Sequence, residues 1–146
     1  MSGAIRLVIA DDHEIFRDGL ALMLSKQHEI QLIGQAANGK ELVALVNELQ
    51  PDVVMTDVKM PFMDGIEATR FLLSQNTDLR IIALSMFDEE NLIVDMLEAG
   101  AKGYLLKNAD KQEILDAIQS VYDGKPYYCH HTTSRLASMI SKSRNL

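Results

Sequence analysis

The sequence contains little of what small secreted proteins use for stability. It has one cysteine, Cys129, no tryptophan, and only 5% aromatic residues over 146 positions. A single cysteine excludes a framework of internal disulfide bonds and is typical of a reducing cytosol, so we expect a cytoplasmic protein. A chain of this length can bury a core without a disulfide or a structural metal. That core must consist mainly of aliphatic residues and methionine.

Long apolar runs and an excess of basic charge are also missing. The first apolar run, Leu7–Ala10, stops at a pair of aspartates, so we expect neither a signal peptide nor a membrane anchor. The net charge of −7 argues against nucleic acid as a general partner, since binding to phosphates requires a basic surface. Residues 125–146 carry four basic residues and no acidic one, which leaves −11 on the first 124 residues. This pattern predicts an acidic domain followed by a linker.

Two hydrophobic periods alternate along the first 124 residues. Short aliphatic runs typical of buried strands are followed by stretches whose apolar residues are spaced three and four apart, as in helices. The strand-like runs are Ile5–Ala10, Gln31–Ala36, Val53–Thr56, Arg80–Leu84 and Lys102–Leu106. Five strands alternating with five helices predict an α/β fold with a parallel sheet covered on both faces. The doubly wound strand order 2-1-3-4-5 is the natural one, because crossovers are right-handed.

Polar side chains follow four of the five predicted strands. They are Asp11 and Asp12 after the first, Asp57 after the third, Ser85 after the fourth and Lys107 after the fifth. Because these strands are adjacent in the predicted order, the side chains should lie together at one edge of the sheet. Three clustered carboxylates need compensating charge, which a divalent cation and an ammonium group would supply. Each residue alone could be a helix cap, a turn residue or a surface lysine, but oxygen ligands in this combination favour Mg²⁺.

Four segments, in their order and spacing, resemble the motifs of two-component response-regulator receiver domains. They are Val8–His13, Val53–Gly65, Ala83–Ser85 and Gly100–Lys107. Shorter stretches within or beside them are similar to the NarL/FixJ, or LuxR-type, subfamily: Ala10–His13, Leu84–Phe87 and Gly103–Lys107. The resemblance implies a flavodoxin-like receiver domain over residues 4–124, with residues 125–146 as the linker.

The same resemblance implies a phosphoryl-accepting site. Asp57 would accept a phosphoryl group from the phosphohistidine of a sensor histidine kinase. Asp11 and Asp12 would bind Mg²⁺, for which Mn²⁺ could substitute, together with Asp57 and the backbone carbonyl of Lys59. Such a protein is a switch rather than an enzyme, capable only of self-phosphorylation and slow self-dephosphorylation.

A readout of phosphorylation is implied as well. Lys107 would pair with a phosphoryl oxygen, and Ser85 would donate a hydrogen bond to another. Movement of Ser85 would draw Tyr104 inward and change the surface formed by the fourth helix, the fifth strand and the fifth helix. The alternative for Tyr104 is an ordinary half-buried strand aromatic. The side chains of Lys59 and Phe87 would flank the path of hydrolytic water.

The last residues predict a linker rather than a second site. Residues 132–142 should form a short helix, which is marginal unless its apolar stripe packs on something. In the NarL/FixJ subfamily a linker helix leads to a helix-turn-helix domain. We therefore expect the receiver fragment of a transcription regulator, which would bind DNA only through an output domain absent from this chain and could dimerise on phosphorylation. A complete receiver that signals through protein contacts is the alternative. Cys129–His131 is interpreted as incidental surface residues, and His13 as a residue of the first helical turn rather than a ligand.

Two other functions are compatible with the predicted fold. A phosphohydrolase that works through an aspartyl-phosphate would carry an acid two residues after its nucleophile, and here that residue is Lys59. A flavin or nucleotide binder would carry hydroxyl and glycine residues after the first strand, where this chain has Asp11, Asp12 and His13. Both are less favoured than the switch.

Overall fold

The computed structural model describes residues 3–86 and 89–128, which form a parallel sheet with helices on both faces. Its strands are β1 (Ile5–Ala10), β2 (Ile30–Ala36), β3 (Val53–Asp57), β4 (Arg80–Ser85), β5 (Gly103–Leu106) and β6 (Tyr127–Tyr128). Its helices are α1 (Glu14–Ser25), α2 (Gly39–Leu49), α3 (Gly65–Gln75), α4 (Glu90–Ala99) and α5 (Lys111–Tyr122). The strand order is β2-β1-β3-β4-β5-β6. The predicted order is therefore confirmed for the first five strands.

The short strand β6 was not predicted. Tyr127 and Tyr128 pair in parallel with Gly103 and Tyr104 at the edge of the sheet. The backbones of β5 and β6 approach so closely at Gly103 that a Cβ there would lie 2.7 Å from the carbonyl oxygen of Tyr127. A strand of two residues is too short to show a hydrophobic period, so the sequence pattern carries no signal for it.

The core lies on both faces of the sheet because successive strand residues point to opposite sides. In β1, Val8 packs with residues of α2, α3 and α4, whereas Leu7 and Ile9 pack with residues of α1 and α5. All five residues of β3 are buried. The core is aliphatic as predicted, with Tyr104 as a large aromatic exception.

Three helices begin at an N-cap residue whose side chain accepts a hydrogen bond from one backbone amide of the first turn. Asn38, Asp64 and Asp110 accept hydrogen bonds from the third helical residue of α2, α3 and α5. Such caps fix where a helix starts and hence where the preceding strand can end. Among the described residues, no helix is long and apolar enough to cross a membrane. The helix predicted over 132–142 and the Cys129–His131 run lie outside the described residues.

Candidate functional site

The carboxyl edge of the sheet brings together charged side chains from three strands. Asp11 follows β1, Asp57 is the last residue of β3, and Lys107 follows β5. The Nζ atom of Lys107 lies 2.8 Å from Asp11 Oδ2 and 3.0 Å from Asp57 Oδ2. All three side chains are at least nine-tenths buried. The Phe16 ring of α1 covers the lysine, with its centroid 5.1 Å from Nζ, so the ammonium group is held between carboxylates and an aromatic face.

The backbone around Asp57 is held by a close contact with the start of α3. The amide of Gly65 donates to the carbonyl oxygen of Val58 at 2.8 Å. A Cβ at Gly65 would collide with the carbonyl oxygen of Asp57, so only glycine allows the chain to return this closely. The loop between Asp57 and Gly65 therefore packs directly against the residue that ends the central strand.

Asp12 completes an acidic cluster that opens toward solvent. Its side chain is 34% exposed. One carboxylate oxygen from each of Asp11, Asp12 and Asp57 lies within 4.8 Å of the others and of a ring nitrogen of His13. Charged oxygen donors with an open side fit a hard divalent cation that retains several water ligands. These residues therefore fit the predicted Mg²⁺ as a donor set.

The electrostatics of the cluster leave negative charge uncompensated. The pKa of Asp57 is raised from 3.8 to about 6, mainly by burial; the hydrogen bond and charge of Lys107 oppose the rise, and the charges of Asp11 and Asp12 contribute to it. For Lys107, burial alone would lower the pKa, but hydrogen bonds and charge interactions with Asp11 and Asp57 raise it above its ordinary value. At neutral pH one ammonium group therefore faces three carboxylates. A divalent cation would supply the missing charge.

His13 lies in this cluster, although its sequence position predicted only a residue of the first helical turn. It is the N-cap of α1, one residue before the first turn, and its side chain makes no capping hydrogen bond. Its Nδ1 atom lies 3.0 Å from Asp11 Oδ1 and 2.9 Å from Lys107 Nζ. The sequence signal that could have placed His13 in the cluster is its position directly after the two aspartates at the start of a helix.

Ser85 ends β4 on the other side of Asp57. It is buried, and its Oγ atom donates a hydrogen bond of 2.9 Å to the carbonyl oxygen of Met86. Its neighbour Leu84 pairs with Asp57 in the sheet register, which places Ser85 one residue beyond that carboxylate. Ser85 thus ends the strand next to that of Asp57, and its hydroxyl group is engaged with the β4–α4 loop.

An ion pair crosses from the β3–α3 loop to the start of α4. Lys59 Nζ lies 3.2 Å from Glu89 Oε2, and Glu89 Oε1 accepts a hydrogen bond of 2.9 Å from the amide of Met86. The lysine side chain is 69% exposed and the glutamate side chain 12% exposed. The sequence gives no indication of this role for Glu89, because a glutamate at a helix start is common and carries no specific signal. Phe87, predicted to flank the path of water, lies outside the described residues.

Tyr104 is already turned inward. It is 2% exposed and packs in the core cluster that contains Ile93 and Met96 of α4. Its ring centroid lies 6.1 Å from that of Tyr128 in β6. Tyr104 is therefore buried rather than half-buried, because β6 and α4 cover this position.

Comparisons with known proteins agree with the fold. A family model described as the response regulator receiver domain matches residues 7–119. LiaR, a transcriptional regulatory protein of Bacillus subtilis (strain 168), is 44% identical over 139 residues, which are 95% of this chain and 66% of LiaR. The response regulator GacA of Pseudomonas viridiflava is 39% identical over 133 residues, which are 91% of this chain and 62% of GacA. The chain thus spans about two thirds of the length of these curated relatives.

Solved structures show the same likeness. A LuxR-family two-component response regulator from Aurantimonas sp. SI85-9A1 has a TM-score of 0.81 at 29% identity, covering 98% of this chain and 99% of that one. The signal receiver domain of NarL from Mycobacterium tuberculosis has a TM-score of 0.79 at 32% identity, covering 84% of this chain and 98% of that one. The chain belongs to the response regulator receiver domain family. The resemblance to NarL- and LuxR-type regulators that the sequence predicted is confirmed.

Proposed function

We propose that this chain is a phosphoryl-accepting switch in which Asp57 receives the group from a phosphohistidine of a sensor histidine kinase. The observation that carries the proposal is the position of Asp57 at the end of the central strand. There its carboxylate lies 3.0 Å from Lys107 Nζ and beside Asp11 and Asp12. With a pKa of about 6, Asp57 is mostly ionised at neutral pH and hence able to attack phosphorus.

The transfer needs little from the protein beyond position and charge. An oxygen of Asp57 attacks phosphorus, a new O–P bond forms, and the P–N bond to the kinase imidazole breaks, so that the imidazole leaves with the bonding electrons. Lys107 neutralises charge on the phosphoryl oxygens as they approach. A divalent cation held by Asp11, Asp12, Asp57 and the backbone carbonyl of Lys59 supplies further charge neutralisation when bound.

Ser85 links the modified aspartate to a change of surface. To donate to a phosphoryl oxygen, its hydroxyl gives up the hydrogen bond to the carbonyl of Met86. The amide of Met86 donates to Glu89, the N-cap of α4, so a shift of Met86 would reposition the start of α4. Tyr104 packs with residues of α4 and senses the same shift. The output surface is then formed by α4, β5 and α5.

The same proposal extends to a larger protein. Residues 4–124 would form the receiver and 125–146 a linker to a helix-turn-helix output domain, which would contact DNA in the cytoplasm, with dimerisation on phosphorylation. The name of LiaR as a transcriptional regulatory protein supports this, as does the greater length of LiaR and GacA. A receiver that signals only through protein contacts remains the alternative. An aspartyl-phosphate phosphohydrolase is disfavoured, because the residue two positions after Asp57 is Lys59, whose ammonium group is paired with Glu89.

Phosphorylation by a small donor tests the proposal directly. Incubation with acetyl phosphate and Mg²⁺ should add the mass of one phosphoryl group to the intact protein. Asp57→Asn should abolish the addition, and Asp18→Asn, which changes an exposed aspartate on α1, should not. Labelling of Asp57→Asn at the wild-type level would refute the assignment. Steady turnover of a generic phosphate ester would favour the phosphohydrolase instead.

A further inference from the structure

His13 presents a ring nitrogen to the acidic cluster at distances that span those between adjacent and opposite ligands of one metal ion. Its Nδ1 atom lies 3.0 Å from Asp11 Oδ1, 3.7 Å from Asp12 Oδ1 and 3.8 Å from Asp57 Oδ2. An octahedral ion with bonds of about 2.1 Å holds adjacent ligand atoms about 3 Å apart and opposite ones about 4.2 Å apart. The three distances fall within that range. The side chain is 63% exposed, so its other nitrogen can face water.

The carboxylate that Nδ1 approaches is held in place by burial and by hydrogen bonds. The backbone amide of His13 donates to Asp11 Oδ1 at 2.8 Å, the same oxygen that its Nδ1 approaches. Asp11 is itself nearly fully buried, and Arg17 Nη1 donates to its carbonyl oxygen at 2.6 Å. The imidazole therefore lies beside an oxygen whose position is set by other contacts.

Nδ1 is in contact with two groups whose hydrogen-bonding needs conflict. Lys107 Nζ lies 2.9 Å away and Asp11 Oδ1 lies 3.0 Å away. An ammonium group only donates, and an ionised carboxylate only accepts. If Nδ1 has no proton, its lone pair faces the Asp11 oxygen; if it has one, that proton faces the ammonium group of Lys107. Either state leaves one repulsive contact at hydrogen-bond distance.

A divalent cation would remove the repulsion between Nδ1 and Asp11 Oδ1, because it would take a lone pair from each, with the ring proton on Nε2 facing water. Lys107 would then donate only to Asp11 Oδ2 and Asp57 Oδ2, which it already contacts at 2.8 and 3.0 Å. We infer that His13 is a specificity-determining ligand of the metal site, which therefore prefers Mn²⁺ to Mg²⁺. Imidazole nitrogen suits transition ions, whereas Mg²⁺ takes oxygen and water. Mn²⁺ accepts both donor types. The inference rests on the proposed function, since it takes the ion-binding role of Asp11, Asp12 and Asp57 as its starting point.

The test compares two ions on four proteins. The free Mn²⁺ signal in electron paramagnetic resonance measures the affinity for Mn²⁺, and competition with Mg²⁺ measures the preference. His13→Asn puts an amide oxygen at the position of Nδ1 and keeps a ligand of the oxygen class. His28→Ala removes an exposed imidazole beyond the far end of α1 and serves as the matched control. Asp12→Asn tests the carboxylate part of the site.

We expect His13→Asn to lower the preference for Mn²⁺ over Mg²⁺ by roughly tenfold, mainly through weaker Mn²⁺ binding, with His28→Ala unchanged. Pulsed spectra of the Mn²⁺-loaded wild type should show a directly bound histidine nitrogen, and that coupling should vanish in His13→Asn. An unchanged preference or a persisting nitrogen coupling in His13→Asn would overturn the inference. If Asp12→Asn still weakened both ions, the proposed function would stand. Failure of either ion to bind the wild type would overturn the inference together with the metal site itself.

Discussion

Two helices begin beside the site with no capping hydrogen bond from their N-cap side chain, and they are held in different ways. The start of α1 is held by Asp11, a buried residue whose carboxylate accepts the amide of His13. The start of α4 is held by Glu89, which bonds the amide of Met86 and pairs with Lys59. The other three described helices carry an ordinary Asn or Asp cap.

This difference separates the part of the site that binds the ion and the phosphoryl group from the part that changes conformation on phosphorylation. The α1 side depends on buried charges that are costly to leave without a partner. The α4 side depends on an ion pair whose lysine is 69% exposed and on one hydroxyl hydrogen bond from Ser85, each of which is easily exchanged. A rigid binding half and a loosely held half are what a switch requires.

Removal of the buried ammonium group should have the largest effect. Lys107→Met leaves the carboxylates of Asp11 and Asp57 without their partner, so we expect a loss of about 3 kcal/mol in the free energy of unfolding at neutral pH without metal. Denaturant unfolding measures it. Lys111→Met, an exposed lysine at the start of α5, should change stability by less than about 0.5 kcal/mol. Equal effects of the two substitutions would contradict the charge account.

Removal of the Asp57 charge should stabilise the protein at neutral pH but not at acidic pH. Because the folded-state pKa of Asp57 is raised from 3.8 to about 6, its contribution to stability is present below pH 3.8 and lost as pH rises through about 6. In a chelator at pH 7.5, Asp57→Asn should therefore be more stable than wild type by up to about 3 kcal/mol. At pH 3.5 the two should be alike. A difference that does not depend on pH would show that burial of the charge is not its cause.

Addition of Mg²⁺ should raise the melting temperature of the wild type through the same carboxylates. At about 100 times the dissociation constant, mass action predicts about 2.7 kcal/mol of stabilisation. Asp12→Ala should lose most of it, because that residue supplies the most exposed of the three carboxylates. A flat melting series for the wild type would argue against the site, and full stabilisation of Asp12→Ala would remove that residue from it.

The smallest effect on stability is expected on the α4 side. Glu89→Gln keeps an oxygen acceptor for the amide of Met86 but loses the ion pair with Lys59, so unfolding should change by less than about 1 kcal/mol. Hydrogen exchange in the first turn of α4 should nevertheless become faster, while the first turn of α1 stays unchanged. Lys59→Met should reproduce this result, and combining the two substitutions should add nothing further. Additive effects of the two substitutions would show that Lys59 does not act through its ion pair with Glu89.

Most of the scaffold could be predicted because its signals are local. Alternating periods place the first five strands and their order, and the order places Asp11, Asp57 and Lys107 at one edge. The orientation of His13 and the pairing of Glu89 could not be predicted, since both depend on contacts between residues far apart in the sequence. The inward position of Tyr104 depends in part on β6, which has no pattern of its own.

Hydrogen exchange before and after phosphorylation tests the central claim most directly. With Mg²⁺ present throughout, treatment of the wild type with acetyl phosphate should change the rates of amide hydrogen exchange in the β4–α4 loop, at the start of α4 and in β5. The start of α1 should change much less, and Asp57→Asn should show no change anywhere. Equal changes at the starts of α1 and α4, or the same response in Asp57→Asn, would contradict the account.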